Sequence, residues 1–313
     1  MPLTEFTFAP NPGNLRALAS PASKGSALVV VLHGCGQTGQ GYDSGTGWSQ
    51  LAAQCGFAVL AIKQRRLNNP GTCFNWFMTR DTRRGEGEAA SIAAAIQHMI
   101  QMHGLDAGRV FITGLSAGGA MTAVMLACYP EMFAAGAIIA GMPYGAAHGV
   151  RDALEAMKRA PVRTPHQWGD AVRAASPNAK RWPRVSIWHG ALDMTVNVSN
   201  AQASVAQWAD VHGLALTAGH PDFLGTAMRL SWGDRLELIT IPALAHGVPI
   251  DSHDLGVPAP FILDVGLSST RHIADFFGLT AHAQSQANAS VMEMPELVAA
   301  RPIRRLLRRV FGG

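Results

Sequence analysis

RVFITGLSAGGAMTAVMLAC, residues 109–128, changes character halfway along. Its first part is a run of branched and aromatic residues that suits a strand buried on both faces, and its last part is small and apolar with helical spacing. Between them lies Gly114-Leu115-Ser116-Ala117-Gly118, a G-x-S-x-G pentapeptide. In a chain with 33 glycines the string alone is a modest signal, and the flanking strand and helix give it weight. A strand that turns into a helix this abruptly crowds the positions two either side of the serine. Glycine at both removes the clash. The turn lifts the Ser116 hydroxyl above the sheet edge and leaves the Ala117 amide near the positive end of the helix, facing any oxyanion that forms. A plain strand–helix turn with a capping serine is the competing reading.

Outward from this stretch, further β-rich runs cover Ala27–His33, Phe57–Lys63, Ala137–Ala140, Val185–His189 and Leu236–Ile241. Helical patterns cover Trp48–Cys55, Gly87–His103, Gly118–Cys128, Ser199–His212 and Ser268–Phe276. The alternation predicts an α/β fold, with a mostly parallel central sheet flanked by helices. From Pro143 to Pro183 the pattern is polar and broken by prolines around one helical piece, Val150–Arg159, which reads as an excursion over the carboxyl edge of the sheet. Residues 1–280 are expected to form the catalytic domain, 281–300 a flexible linker, and 301–313 a basic amphipathic tail.

The 313 residues, 48% hydrophobic and 15% charged, suit one large domain, and no stretch approaches the roughly 18 apolar residues of a membrane span. The formal charge of +4 is local: Arg301, Arg304, Arg305, Arg308 and Arg309 supply five positive charges, and residues 1–300 carry 20 basic against 21 acidic side chains. The remaining arginines are scattered in sequence. Neither a nucleic-acid partner nor a cationic pocket for acidic substrates is expected. The four cysteines, Cys35, Cys55, Cys73 and Cys128, form no CxxC pair, so no metal is expected. The opening MPLTEFTFAPNPG shows no basic segment followed by an apolar one, which predicts a cytoplasmic location, or a periplasmic or secreted one for a mature form.

A serine hydroxyl is a weak nucleophile at neutral pH, so a base and an orienting acid should follow it in chain order. Asp193 leaves the strand VSIWH in the loop GALDMTV, and His246 leaves the strand LELITIP in ALAHGVP. Of the 12 histidines, His98 and His103 fall on a helix, His33 and His189 end strands beside glycines and suit structural hydrogen bonds, and His220, His253 and His272 do not directly follow a strand. Asp170, Asp210 and Asp234 compete with Asp193 as solvated or capping carboxylates. A second oxyanion donor should come from the loop after an early strand, where His33-Gly34-Cys35-Gly36-Gln37 offers the Cys35 amide.

With these residues in place, the chain resembles the polyhydroxybutyrate (PHB) depolymerase family of esterases, α/β-hydrolases whose group also includes acetylxylan and feruloyl esterases. The matching motifs are LHGCGQT at 32–38, CFNWF at 73–77, GLSAGGAM at 114–121, AGMPYG at 140–145, WGDAVR at 168–173, SIWHGALDMTV at 186–196 and GLSSTRHIADFFGL at 266–279. The resemblance implies a triad of Ser116, Asp193 and His246 and a Cys35–Cys73 disulfide.

The expected chemistry is two-step acyl transfer without a cofactor, cleaving hydroxyalkanoate polyester, oligomer or related ester bonds through an acyl-enzyme. Trp48, Trp76, Phe77 and Tyr144 flank the active-site loops and are candidate substrate walls, with core packing as their alternative role. Acetylxylan or feruloyl ester cleavage is the alternative activity. The alternative of another class is a granule- or membrane-associated binding protein that uses the basic tail and keeps a vestigial site. Oligomeric state is open.

Overall fold

Alternation along single strands decides which side of the sheet each residue serves. In LVVVL, residues 28–32, Leu28, Val30 and Leu32 enter one core, while Val29 and Val31 enter another on the opposite face. The computed structural model describes residues 3–280 of the chain; the expected linker and tail lie outside the described residues.

Ten strands form one sheet: β1 (Thr4–Phe6), β2 (Arg16–Ala19), β3 (Leu28–Leu32), β4 (Ala58–Lys63), β5 (Val110–Leu115), β6 (Ala135–Ile139), β7 (Arg184–Gly190), β8 (His220–Leu224), β9 (Ala227–Trp232) and β10 (Leu236–Ile241). Their order is β1-β2-β4-β3-β5-β6-β7-β10-β9-β8. The six strands from β4 to β10 are parallel, and an antiparallel pair closes each edge. A separate parallel pair joins β11 (Val248–Ile250) to β12 (Ile262–Asp264).

Helices α1 (Gly39–Thr46), α2 (Trp48–Cys55) and α8 (Ser269–Phe277) cover one face. Helices α3 (Gly87–His103), α4 (Ala117–Cys128), α5 (Val150–Lys158), α6 (Pro165–Ala175) and α7 (Ser199–His212) cover the other. Trp48 belongs to the core entered by Val29 and Val31, 1% exposed, between the rings of Phe57 and Phe277. Its expected place in a substrate wall is therefore corrected: the indole is buried on a sheet face, where it packs α2 against α8. Aromatic contacts of this kind add about 0.5–1.5 kcal/mol each beyond simple burial.

Every residue of α4 is buried, which its small side chains permit. Gly118 shows why: a Cβ there would lie 2.2 Å from the Leu32 carbonyl oxygen, so only glycine lets the helix start this close to β3.

Candidate active site

The central parallel strands end on one edge, and the segments leaving β5, β7 and β10 carry Ser116, Asp193 and His246. Ser116 follows β5 directly, with φ 56° and ψ −117°, a conformation that side-chain-bearing residues rarely adopt. Its amide donates to Ile139 at the end of β6 (2.9 Å), and its carbonyl accepts from Ala120, which holds the strained residue at both ends. Ala117 opens α4, so its N–H has no carbonyl within the helix to bond.

Beyond β7 and β10 two loops converge. Ala191 and Leu192 donate their amides to Ile241 and Leu244 (both 3.0 Å), and this pairing carries Asp193 to His246. His246 Nδ1 donates to Asp193 Oδ2 at 2.7 Å. A carboxylate can only accept, so the proton sits on Nδ1 and Nε2 is left as the basic nitrogen. Asp193 Oδ1 accepts from the amides of Thr195 (2.9 Å) and Val196 (2.8 Å). Burial works against ionisation of Asp193, but the bond and charge of His246 together with the Val196 amide hold its carboxyl below the ordinary range. Among the described residues neither the Ser116 hydroxyl nor His246 Nε2 has a hydrogen-bond partner, so the structure joins His246 to Asp193 and does not join Ser116 to His246.

His189 had no place in the sequence-based site. Its Nε2 donates to Val196 O at 2.8 Å and lies 3.4 Å from Asp193 Oδ2. Burial pushes its pKa down, outweighing the Val196 bond, so it stays neutral beside the aspartate. Phe261 was also missed. It meets the His246 ring edge-on at 5.9 Å and is itself at φ 63°. The surrounding PAPF carries no pattern that marks a site.

The loop after β3 is fastened on all sides. Gly34 N donates to Gln37 Oε1 (2.9 Å), Gln37 N to Gly34 O (3.2 Å), and Gly36 N to Gly71 O (2.8 Å). Gln37 Nε2 reaches Pro260 O at 2.9 Å, tying this loop to the one that carries Phe261. Among the four amides from Gly34 to Gln37, only that of Cys35 has no hydrogen-bond partner among the described residues. Cys35 is bonded to Cys73, 38 residues away, so it has no free thiol. His33 beneath the loop is buried and pushed down to about 4; its Nδ1 donates to Gly34 O and its Nε2 accepts from Gln64 N, a structural role.

The remaining aromatics divide. Trp76 is 7% exposed, set edge-on to Phe77, and belongs to the larger core, which favours core packing, the alternative role expected for it. Phe77 and Tyr144 are half-buried against the same core. The Tyr144 hydroxyl faces Thr82 O and Cys128 Sγ.

A sheet of this order, with a serine elbow after its central strand and a carboxylate–imidazole pair beyond two later ones, defines the α/β-hydrolase class. The sequence profile of the family described as Esterase PHB depolymerase matches residues 17–223, and the chain belongs to that family. Poly(3-hydroxyalkanoate) depolymerase C of Paucimonas lemoignei is 39% identical over 286 residues, 87% of this chain and 69% of that protein. An acetylxylan esterase of Coprinopsis cinerea is 35% identical over 222 residues, 67% of this chain and 58% of that one. Among solved structures, the acetyl xylan esterase from Aspergillus awamori superposes with a TM-score of 0.77 at 26% identity, over 88% of this chain and 99% of that chain. The chain is a serine carboxylic-ester hydrolase resembling PHB depolymerases.

Proposed function

We propose that Ser116, His246 and Asp193 are the catalytic triad of this hydrolase and that hydroxyalkanoate esters are its substrates. The observation that carries the reading is the 2.7 Å bond from His246 Nδ1 to Asp193, which frees Nε2 at the same sheet edge as the Ser116 elbow. His246 Nε2 takes the Ser116 proton as the oxygen attacks the ester carbonyl. The Ala117 and Cys35 amides receive the oxyanion, each contributing about 3 kcal/mol to the lowered barrier. The imidazolium returns its proton to the leaving alkoxide. Water, activated by the same nitrogen, then frees the acid from Ser116. Phe77 and Tyr144 retain exposed surface from which a substrate wall can be built.

Hydroxyalkanoate esters are favoured by the 39% identity to a relative named as a poly(3-hydroxyalkanoate) depolymerase. Acetylated xylan is the second reading, favoured by the superposition on an acetyl xylan esterase. Parallel assays on hydroxybutyrate oligomers, acetylated xylan and methyl ferulate separate them, with Ser116→Ala as the control. The reading requires oligomer turnover that the variant abolishes; fast turnover of acetylated xylan alone overturns it.

The Cys35–Cys73 bond supports an oxidising compartment rather than the cytoplasm as the place of work. The five arginines of 301–313, spaced among Ile303, Leu306, Leu307 and Val310, are proposed to contact a granule or membrane surface. Co-sedimentation with anionic vesicles, compared with a chain ending at 300, tests that role; equal sedimentation of the two overturns it.

A further inference from the structure

A cleft of about 640 Å³ is lined in part by Gly36 and Gln37, the two residues that follow Cys35 in the chain. Strand pairing builds it. The antiparallel register of β2 on β4 sets Arg16 opposite Lys63, and the chain leaving β4 adds Arg65 and Arg66. These residues are scattered in sequence, and the expectation that no cationic pocket exists is corrected by their convergence. The cleft holds four cations against a single carboxylate, that of Glu5, which is tied to Arg16. Among the described residues Lys63, Arg65 and Arg66 have no salt-bridge partner. Arg65 Nε is shielded from solvent and makes no hydrogen bond. A buried donor left without an acceptor is unfavourable, and an anion bound here would supply one.

We propose that the cleft is a carboxylate subsite for the leaving group, which makes the preferred substrate an ester whose alcohol portion ends in a free carboxylate. The proposal rests on the Cys35 amide marking the position of the scissile carbonyl. In an oligoester of a 3-hydroxy acid, the terminal ester bond has this form, with the carboxylate carbon three bonds from the scissile oxygen. Ser116 displaces that oxygen, the alkoxide takes the proton from His246, and the product leaves as a hydroxy acid anion; water then completes hydrolysis of the acyl-serine. Cleavage therefore proceeds from the carboxyl end of a soluble chain and releases monomer. Interior bonds of a polymer, with no charge nearby, draw no benefit from the cleft.

The test compares 3-acetoxybutyrate with its neutral isostere 3-acetoxybutyramide, following acetate release. The acid is expected to exceed the amide in kcat/KM by about tenfold, mostly through KM, and the advantage is expected to shrink in high salt. The ratio should fall toward one in Lys63→Gln/Arg65→Gln, fall in part in the exposed-site variant Arg66→Gln, and persist in Lys24→Gln, which removes a cation elsewhere. Equal use of acid and amide by the native protein overturns the proposal, as does a ratio unchanged in the first two variants. Failure to cleave either compound while p-nitrophenyl acetate is turned over also counts against it. If the acid preference holds but hydroxybutyrate dimer is not cleaved, the subsite stands and the hydroxyalkanoate reading falls.

Discussion

Gly190 lies so close to Leu244 that a Cβ on it would sit 2.2 Å from the Leu244 carbonyl oxygen. This contact, between the end of β7 and the loop after β10, sets the separation of Asp193 from His246. Gly190→Ala must push the two loops apart. A loss of about 1–3 kcal/mol in stability is expected from the overpacking. A displacement near 1 Å should lower kcat/KM roughly 10²-fold. Urea unfolding and ester turnover measured on one preparation check both; an alanine variant with native activity would show that the loops tolerate separation.

Asp193→Asn retains an oxygen for the Thr195 and Val196 amides but turns an NH2 group toward His246. The imidazole must then expose its protonated nitrogen to Ser116. A fall in kcat of about 10⁴-fold with little change in the melting temperature is expected. Steady-state kinetics beside a thermal melt separates this from unfolding.

Joining Cys35 to Cys73 closes a loop of 38 residues. In the chain-entropy view such a link contributes about 4 kcal/mol. The double variant Cys35→Ser/Cys73→Ser should lose that amount, and its kcat should fall by up to about 10²-fold as the Cys35 amide loses its fixed position. The urea midpoint of the native chain with and without reductant provides an independent reading, and a midpoint unmoved by reductant would contradict the expectation.

Glu88 is buried in the first turn of α3, where it accepts from Asn75 N (2.8 Å), Asn75 Nδ2 (2.7 Å) and Gln64 Nε2 (2.6 Å). Burial pushes its carboxyl from the ordinary 4.5 up to about 7, against the pull of these bonds. Between those values the native protein holds a proton that the unfolded chain has released, so stability falls as pH rises through the window, by about 3 kcal/mol. Glu88→Gln has no such group. Its stability relative to the native chain should therefore improve from about pH 5 to about pH 8 by up to about 3 kcal/mol. His33, pushed down to about 4, titrates with the opposite sign and cancels in the comparison because both proteins carry it. A difference that does not move with pH would contradict the assignment.

The six parallel strands were legible because each is a short apolar run buried on both faces, and the elbow because its glycines answer a local steric demand. The edge strands were not. Phe223 in β8 is 79% exposed, and half-exposed strands of this kind carry no apolar pattern to read. Helix α6 was hidden by its polar surface, although Thr164-Pro165-His166-Gln167 carries a capping box with proline at the first helical position. The pairing of Asp193 with His246 was legible because both residues follow strand ends. The Phe261 contact and the cluster of Arg16 with Lys63 arise from pairings between distant segments, which no local pattern announces.

Covalent labelling with a fluorophosphonate, followed by peptide mass mapping, tests the triad most directly. One adduct per chain is predicted, on the peptide containing Ser116, formed many-fold more slowly in His246→Ala and absent at that peptide in Ser116→Ala. Loss of esterase activity with the adduct on any other residue, or full esterase activity in Ser116→Ala, would contradict the account.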